Sequence, residues 1–476
     1  MLKPIFRLLS ALLLTSSVFG QATSTSLQLE NLQGQTPMTW VTQRFLIHKD
    51  QENLDVAFGL ETQSAVLGDY GGFYVFGLHG RSGIELPMVY LWSGFTLATG
   101  GGAGAPDGDG LMYRLQAQAE FPFSKSLRLG FGYNFLDFPS GDIASSHISY
   151  GIHYTMPYSW QPQQSLNLYA GSIAILGGVF EFDHKDASRI DETGYSIYNG
   201  VRFTQSVSSF LDLDIQLGAS AIGSTDSFMD YKAGFTLIPF QGSIQPVIRG
   251  QLGSGGGGGV HTGGGISTLA GAGMRIYDRI ELTANYWDAL QTEMGAPFVE
   301  VAYRMPFESN FGFVSTRKHK IADKRNLTPQ QLVLVIGNRT NFAQGIDRNG
   351  LEYKPMSSIF LGAKIPVNEK LYAAGETLWA ATGGYGAYAE GMFGVYYSLL
   401  AEPAYSLGLN TSVVAAGGGG IDVGRGTAIA VGAHYSRELL GVPTTFITRF
   451  KYFGQGAYNP MVVGVQFEPI FKVFKR

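Results

Sequence analysis

The 476-residue chain contains no cysteine. Disulfide bonds are therefore excluded, and so is lipid attachment to a cysteine after a signal peptide. Charged residues make up only 15% of the chain, and the net charge of −4 is too small to indicate nucleic acid or another strongly charged partner. Beyond the first 20 residues, no apolar run approaches the roughly 18–20 residues that a membrane-spanning helix needs.

The N-terminus predicts export. Lys3 and Arg7 form a short basic region, Leu8 to Leu14 is apolar, and small residues lead up to Gly20. This layout is typical of a cleavable secretory signal peptide, with cleavage near Gly20. The alternative is a buried N-terminal helix. An exported chain of this kind is periplasmic, secreted, or held in the outer membrane by its own fold.

Glycine (65 residues) and aromatic residues (13%) are abundant, and polar and apolar residues alternate along most of the chain. In Ile280 to Asp288, for example, Ile280, Leu282, Ala284 and Tyr286 share one face of a strand. Such segments run for about 10–13 residues, the length that a tilted strand needs to cross a bilayer. Short turns alternate with longer loops. The pattern predicts an all-β fold, a transmembrane antiparallel β-barrel. A soluble all-β protein is the alternative.

An internal repeat divides the chain into three copies of about 155 residues. The motif Glu61-Thr62-x-x-Ala65-x-x-Gly68-x-Tyr70-Gly71 returns as Glu376-Thr377-x-x-Ala380-x-x-Gly383-x-Tyr385-Gly386. The copies predict about 22–24 strands, with seven in copy one unless Thr25 to Glu30 forms a first strand. A short link at 159–165 favours one continuous barrel over three eight-stranded barrels side by side. The predicted divisions are a signal peptide (1–20), an N-terminal segment (21–38), repeat 1 (39–158), repeat 2 (159–308), a basic linker (309–331), repeat 3 (332–471) and a basic tail (472–476).

Three glycine-rich loops, Gly100–Gly110, Gly253–Gly265 and Gly417–Gly426, are predicted to lie at the extracellular end. They are either flexible surface loops or segments whose backbones pack closely at the mouth, because glycine has no Cβ. The loops contain too few carboxylates to bind calcium, which needs six or more oxygen ligands. No metal site and no cofactor are predicted. The candidate mouth residues are Gly100, Gly101, Gly102, Asp107, Asp109, Gly255, Gly256, Gly257, His261, Gly417, Gly418, Gly419 and Asp422.

Charged residues on the polar faces of the strands are predicted to line the lumen. They form either the ordinary wet interior of a barrel or a field that selects permeating ions. The candidates are Asp55, Glu61, Arg114, Asp212, Asp214, Glu281, Glu300, Arg304, Glu376, Arg449 and Lys451.

Signals for catalysis are weak, and the sequence predicts no enzyme. The eight histidines are scattered, with no pair at metal-binding spacing and no serine in a strand–turn–helix nucleophile motif. The basic linker contains Arg317-Lys318-His319-Lys320 and is either a solvated connection or a docking segment for a periplasmic or peripheral partner.

Signal peptide, long alternating strands and tight turns together make the chain similar to the bacterial outer-membrane β-barrel class. This resemblance implies the outer membrane of a Gram-negative bacterium, with lipid and other envelope proteins as partners. Such barrels often end on an aromatic residue, whereas this chain ends Phe474-Lys475-Arg476. A mature N-terminus at Gln21 resembles exported proteins of the Bacteroidota.

A single barrel of this size would leak, because no segment long enough for a plug precedes the first predicted strand. Two functions follow from this expectation. The first is a gated or loop-constricted channel for solute, polymer or protein. The alternative is a noncatalytic barrel subunit of an outer-membrane secretion or assembly complex, with its lumen filled by a partner.

Overall fold

The computed structural model describes residues 22–475, except 35–36, 52–53, 158–164, 182–194, 224, 226–227, 259, 261, 310–316, 321–327, 349, 403, 425, 440–441, 455 and 469. The predicted signal peptide lies outside the described residues. Within these ranges every regular element is a β-strand. No helix in the described part of the chain is long and apolar enough to cross a membrane.

The first eight strands form a closed antiparallel barrel, barrel 1, because the first strand pairs with both the second and the eighth. The strands are β1 (Ala22–Leu32), β2 (Met38–Gln51), β3 (Leu54–Gly68), β4 (Tyr74–Glu85), β5 (Tyr90–Gly101), β6 (Leu111–Pro122), β7 (Leu127–Asp137) and β8 (Ala144–Pro157).

Barrel 2 closes in the same way, by pairing of its first strand with its eighth. Its strands are β9 (Ser165–Glu181), β10 (Tyr195–Ser206), β11 (Leu211–Gly223), β12 (Met229–Leu237), β13 (Ile244–Gly256), β14 (Ile266–Ile276), β15 (Ile280–Ala289) and β16 (Gly295–Ser309). A four-residue strand, β17 (Arg317–Lys320), follows and pairs with β9.

Barrel 3 closes when its first strand pairs with the last two strands of the chain. Its strands are β18 (Thr328–Phe342), β19 (Met356–Pro366), β20 (Leu371–Ala380), β21 (Ala389–Glu402), β22 (Tyr405–Gly417), β23 (Thr427–Leu439), β24 (Val442–Phe453), β25 (Met461–Phe467) and β26 (Ile470–Lys475). β26 continues the path of β25 along β18, so the barrel has eight strand positions.

The prediction of one continuous barrel is wrong, because three closed eight-stranded barrels form instead. Strand length and alternation are the same in both architectures, so the sequence pattern could not separate them. Closure depends on which edge the last strand of each copy meets. Pairing with the first strand of its own copy makes a separate barrel, whereas pairing with the first strand of the next copy would extend one continuous sheet.

Three predicted boundaries also change. β1 lies within the predicted N-terminal segment, so copy one has eight strands and begins at Ala22 rather than Thr39. Part of the predicted basic linker is strand β17. The predicted basic tail forms most of β26, which also pairs with the end of β16 through Phe307 and Glu308. This last pairing joins barrels 2 and 3.

The two faces of each strand differ, as the alternation predicts. Outward side chains are large, apolar and exposed: Leu115 is 52% exposed and Phe131 is 55% exposed. Inward side chains are mostly polar and buried, such as Arg114 and Gln116 on β6. Short connections, such as 86–89 and 123–126, lie at one end of each barrel, here called the turn end. The longer connections, including all three glycine-rich loops, lie at the opposite end, here called the loop end.

Candidate functional site

The interior of barrel 1 is filled by a network of buried ion pairs. Glu61 accepts a hydrogen bond from Arg44 Nε at 2.6 Å and another from Arg114. Arg114 also donates to Glu30 at 2.7 Å, and His147 lies 3.1 Å from the same carboxylate. All of these side chains are buried. Because a buried charge is costly without a partner, the network depends on each member.

Barrels 2 and 3 contain networks of the same kind. In barrel 2, Arg202 lies 3.1 Å from Glu281 and 3.0 Å from Glu300. In barrel 3, Glu376 accepts from Arg339 at 2.7 Å and from Arg449 at 2.8 Å. Each interior therefore pairs its charges across the lumen, as small side-chain-filled barrels do.

An apolar cluster closes the lumen of each barrel at the loop end. In barrel 1 it includes Trp40, Phe73 and Phe138, and the Trp40 and Phe73 rings stack with centroids 5.5 Å apart. Barrel 2 has Phe180 and Trp287 in the equivalent place, and barrel 3 has its own cluster around Tyr388 and Tyr458. The described residues thus leave no wide lumen at this end.

The candidate lumen residues lie inside three separate barrels instead of around one pore. All except Asp55, which is partly exposed at the turn end of barrel 1, are buried. Barrel 1 holds Asp55, Glu61 and Arg114; barrel 2 holds Asp212, Asp214, Glu281, Glu300 and Arg304; barrel 3 holds Glu376, Arg449 and Lys451. The expectation of a wide, unplugged lumen is therefore wrong, since the side chains of each barrel fill its interior.

A junction joins barrel 1 to barrel 2 at the loop end. The Gly71 amide donates to the Gly263 carbonyl at 2.7 Å, and the Ser254 hydroxyl donates to the Ala65 carbonyl at 2.5 Å. A Cβ atom added at Gly71 would lie 2.2 Å from Thr262 Oγ1. No side chain other than hydrogen fits between the two backbones there.

A second junction joins barrel 3 to barrel 1 with the same chemistry. The Thr99 hydroxyl donates to the Ala380 carbonyl, and a Cβ at Gly386 would lie 2.3 Å from the Gly108 carbonyl oxygen. The Phe76 and Trp379 rings stack across it, with centroids 5.0 Å apart. This aromatic pair adds apolar burial to the hydrogen bond.

The two junctions are made by equivalent positions of the repeat. In each junction the repeated motif of one barrel contacts the glycine loop of the next, which is a head-to-tail arrangement. Ala65 and Ala380 belong to the repeated motif, as do Gly71 and Gly386, and each motif docks on the glycine loop of a different barrel. A head-to-tail arrangement of three units closes a ring only if the third contact is equivalent. In the third copy Ala415 stands where Ser254 and Thr99 stand, so the hydroxyl-to-carbonyl bond cannot form there.

Two of the three glycine loops thus hold neighbouring barrels together. Gly100, Gly101, Gly102, Asp107 and Asp109 belong to the loop of barrel 1 that meets barrel 3, and Gly255, Gly256 and Gly257 to the loop of barrel 2 that meets barrel 1. Gly417, Gly418, Gly419 and Asp422 lie in the loop of barrel 3, where Gly418 packs against Ala387 of the same barrel. His261 lies outside the described residues.

Asp107 is a buried carboxylate of the barrel 1 loop at the junction with barrel 3. Burial raises the pKa of its carboxyl to about 6, although the Gly102 amide, 3.0 Å away, donates to it and opposes the rise. A Cβ at Gly386 of barrel 3 would lie 2.7 Å from its Oδ1. Within the described part of the chain, no group of three His, Asp or Glu side chains is placed to hold a metal ion.

Sequence reasoning missed the hydroxyls of Ser254 and Thr99, the carbonyls that they reach, and the buried partners Glu30 and Arg44. The internal repeat already marked some of these positions. Its motif includes Glu61 and Glu376, at the centres of two ion-pair networks, and the junction glycines Gly71 and Gly386.

No family model matches the chain, and no curated protein matches it. Among solved structures, OccK11 (OpdR) of Pseudomonas aeruginosa is 8% identical over 96% of each chain, with a TM-score of 0.24. The siderophore receptor PirA from Pseudomonas aeruginosa is 9% identical, covering 95% of this chain and 80% of its own, with a TM-score of 0.28. A de novo designed transmembrane β-barrel covers 28% of this chain and 95% of its own, at 15% identity and a TM-score of 0.20. None of these similarities is strong enough to indicate a function.

Proposed function

We propose that the chain is an outer-membrane protein of a Gram-negative bacterium and acts as a structural platform in an envelope complex, such as a secretion or assembly machine. In this proposal three filled barrels anchor the protein, and their joined loop end presents a surface to other envelope proteins. The observation that carries it is the filling of each interior by buried ion pairs, represented by Glu61, Glu300 and Glu376.

The outward faces support the membrane location. Lipid offers no hydrogen bonds to the backbone, and a closed barrel satisfies its own. Exposed apolar side chains such as Leu115, Phe131 and Val299 cover the strands on that side. The predicted signal peptide would provide export, with the turn end in the periplasm. A source among the Bacteroidota stays a prediction.

The junctions support the platform. Backbone contacts as close as those at Gly71 and Gly386 leave little freedom between neighbouring barrels. A channel does not need its barrels fixed to one another, whereas a surface assembled from several barrels does.

Conductance across planar bilayers tests the proposal. The purified full-length chain is expected to give no stepwise conductance, because passage requires the interior networks to open. Co-purification from mild detergent is expected to retain other envelope proteins. Steady porin-like steps from the folded chain alone would favour the channel instead. Folding is checked by the heat-dependent shift in gel migration that intact barrels show.

A further inference from the structure

Three side chains at the turn end of barrel 1 form a hydrogen-bonded series apart from the ion-pair network around Glu61. Ser24 Oγ lies 2.6 Å from His48 Nε2, and His48 Nδ1 lies 2.9 Å from Asp55 Oδ2. The three residues stand near the turn-end limits of β1, β2 and β3 and face the lumen. Their order and spacing are those of a nucleophile, a base and a group that orients the base.

The hydrogen bonds fix the direction of proton flow. An ionised carboxylate only accepts, so His48 Nδ1 donates to Asp55 and leaves Nε2 to accept from the Ser24 hydroxyl. The Tyr90 hydroxyl donates to Asp55 at 2.5 Å and holds it in place. In the described part of the chain, no arginine or lysine forms an ion pair with Asp55. The direct hydrogen-bond partners of its carboxylate are therefore the His48 imidazole and the Tyr90 hydroxyl.

A second Ser–His–carboxylate series lies in the same barrel, but its members have additional partners. Ser145 Oγ lies 3.2 Å from His147 Nδ1, but it also accepts from the Gln33 amide at 2.9 Å. The carboxylate behind His147 belongs to Glu30, which already pairs with Arg114. This second chain is part of the structural network and serves as an internal comparison.

We propose that Ser24 is the nucleophile of an acyl-transfer site that hydrolyses small carboxylic esters. Ser24 Oγ attacks the ester carbonyl carbon while its proton moves to His48 Nε2. The C–O bond to the alcohol breaks, and the alcohol leaves with the proton from His48. Water then attacks the acyl group on Ser24, giving its proton to His48, and the carboxylic acid leaves as Ser24 regains the proton. Asp55 is a positioning residue.

Access and size define the substrate class. The apolar cluster closes the loop end of barrel 1, so an ester enters from the turn end, where the side chains of His48 and Asp55 are 9% and 17% exposed. The packed interior excludes a diacyl lipid, so the proposed substrates are esters with a short acyl group. Two residues along the same face of β1, the buried Ser26 hydroxyl has no hydrogen-bond partner. The proposal assigns this hydroxyl as the donor to the oxyanion that forms on the carbonyl oxygen.

Labelling of the full-length protein in detergent with a small fluorophosphonate tests the site. One adduct per chain on Ser24, found by intact mass and peptide mapping, is the expected result, together with hydrolysis of p-nitrophenyl acetate. Ser24→Ala should remove both signals. His48→Gln should slow both by a factor of about 10²–10⁴, the usual contribution of a general base.

Two further variants separate chemistry from structure. Ser145→Ala changes the comparison chain and should leave labelling unchanged. Asp55→Asn should lower kcat with KM unaltered, because it disturbs the tautomer of His48 and not the binding of the ester. Each variant must keep its heat-dependent gel shift. A folded protein that shows neither adduct nor hydrolysis, or that keeps both after Ser24→Ala, would overturn the proposal. The platform proposal does not depend on this outcome.

Discussion

The hydroxyl of Ser254 in barrel 2 donates to the carbonyl of Ala65 in barrel 1, with 2.5 Å between the oxygens. Thr99 makes the equivalent bond to Ala380, so one type of contact is used twice to join three barrels. In both cases the donor belongs to a strand that enters a glycine-rich loop. The neighbouring glycines allow the approach, and the hydroxyl fixes the register of one barrel against the next.

Gly71→Ala is predicted to disrupt the junction between barrels 1 and 2. Its Cβ would lie 2.5 Å from the Gly263 carbonyl oxygen, a backbone atom that cannot move cheaply, and overpacking of this kind costs about 1–3 kcal/mol. Since the chain has no cysteine, spin labels at Phe123→Cys and Phe240→Cys, in exposed turns of the two barrels, report the distance between them. The distance distribution should broaden.

The matched control is Gly177→Ala in barrel 2, where an added Cβ meets no atom within 4 Å. Its distance distribution should equal that of the unmodified chain. Equal distributions for Gly71→Ala and Gly177→Ala would show that the glycine contact does not hold the junction.

Asp107 is predicted to make the junction between barrels 1 and 3 sensitive to pH. Its pKa is about 6 in the folded protein, above the ordinary value of 3.8, so folding favours the protonated form. The contribution to stability is complete below about pH 4 and is lost as the pH rises through about 6. Spin labels at Phe123→Cys and Val367→Cys should therefore give a narrower distance distribution at pH 5 than at pH 8.

Asp107→Asn removes the titration and keeps an oxygen that accepts from the Gly102 amide. In this variant the distribution should be the same at both pH values. If the unmodified chain shows no pH difference, or if the difference survives in Asp107→Asn, the carboxyl is not responsible.

Glu61→Gln is predicted to destabilise barrel 1 by about 3–5 kcal/mol, because it leaves Arg44 and Arg114 buried with less compensating charge. Urea unfolding in detergent, followed by tryptophan fluorescence, measures the change. The control is Glu85→Gln, whose partner Arg128 lies 2.9 Å away but whose side chain is 58% exposed. That change should cost less than about 1 kcal/mol.

Phe131→Arg tests the membrane location. Phe131 faces outward near the middle of β7, and an arginine at the midplane of a bilayer costs about 2–4 kcal/mol in a transmembrane barrel. Unfolding from lipid vesicles should show this loss. Phe123→Arg, in a turn where the side chain is 74% exposed, should change stability little. Equal effects of the two substitutions would contradict a bilayer around β7.

Much of the fold could be predicted because alternation and strand length are local properties. The strands around Ile280 and Leu111 lie where the pattern places them. The closing partners are a long-range property: whether β8 meets β1 or β9 leaves the alternation unchanged. The glycine loops were recognisable, but their role depends on which barrel stands opposite, and nothing near Gly263 in the sequence indicates Gly71.

The Ser24 site shows the same limit more sharply. Its three side chains come from three strands, and each is an ordinary lumen-facing polar residue in the sequence. Only the register between β1 and β2, in which Ala22 pairs with His48, brings Ser24 and His48 together.

The junction between barrels 1 and 3 has a consequence for the order of assembly. Thr99 and Ala380 are 281 residues apart, so this contact must wait until most of the chain has been made and inserted. Barrel 1, which is made first, thus contacts both other barrels at the loop end and makes its contact with barrel 3 last. Contacts between distant segments form slowly. During that interval the face of the barrel 1 glycine loop that meets barrel 3 is uncovered.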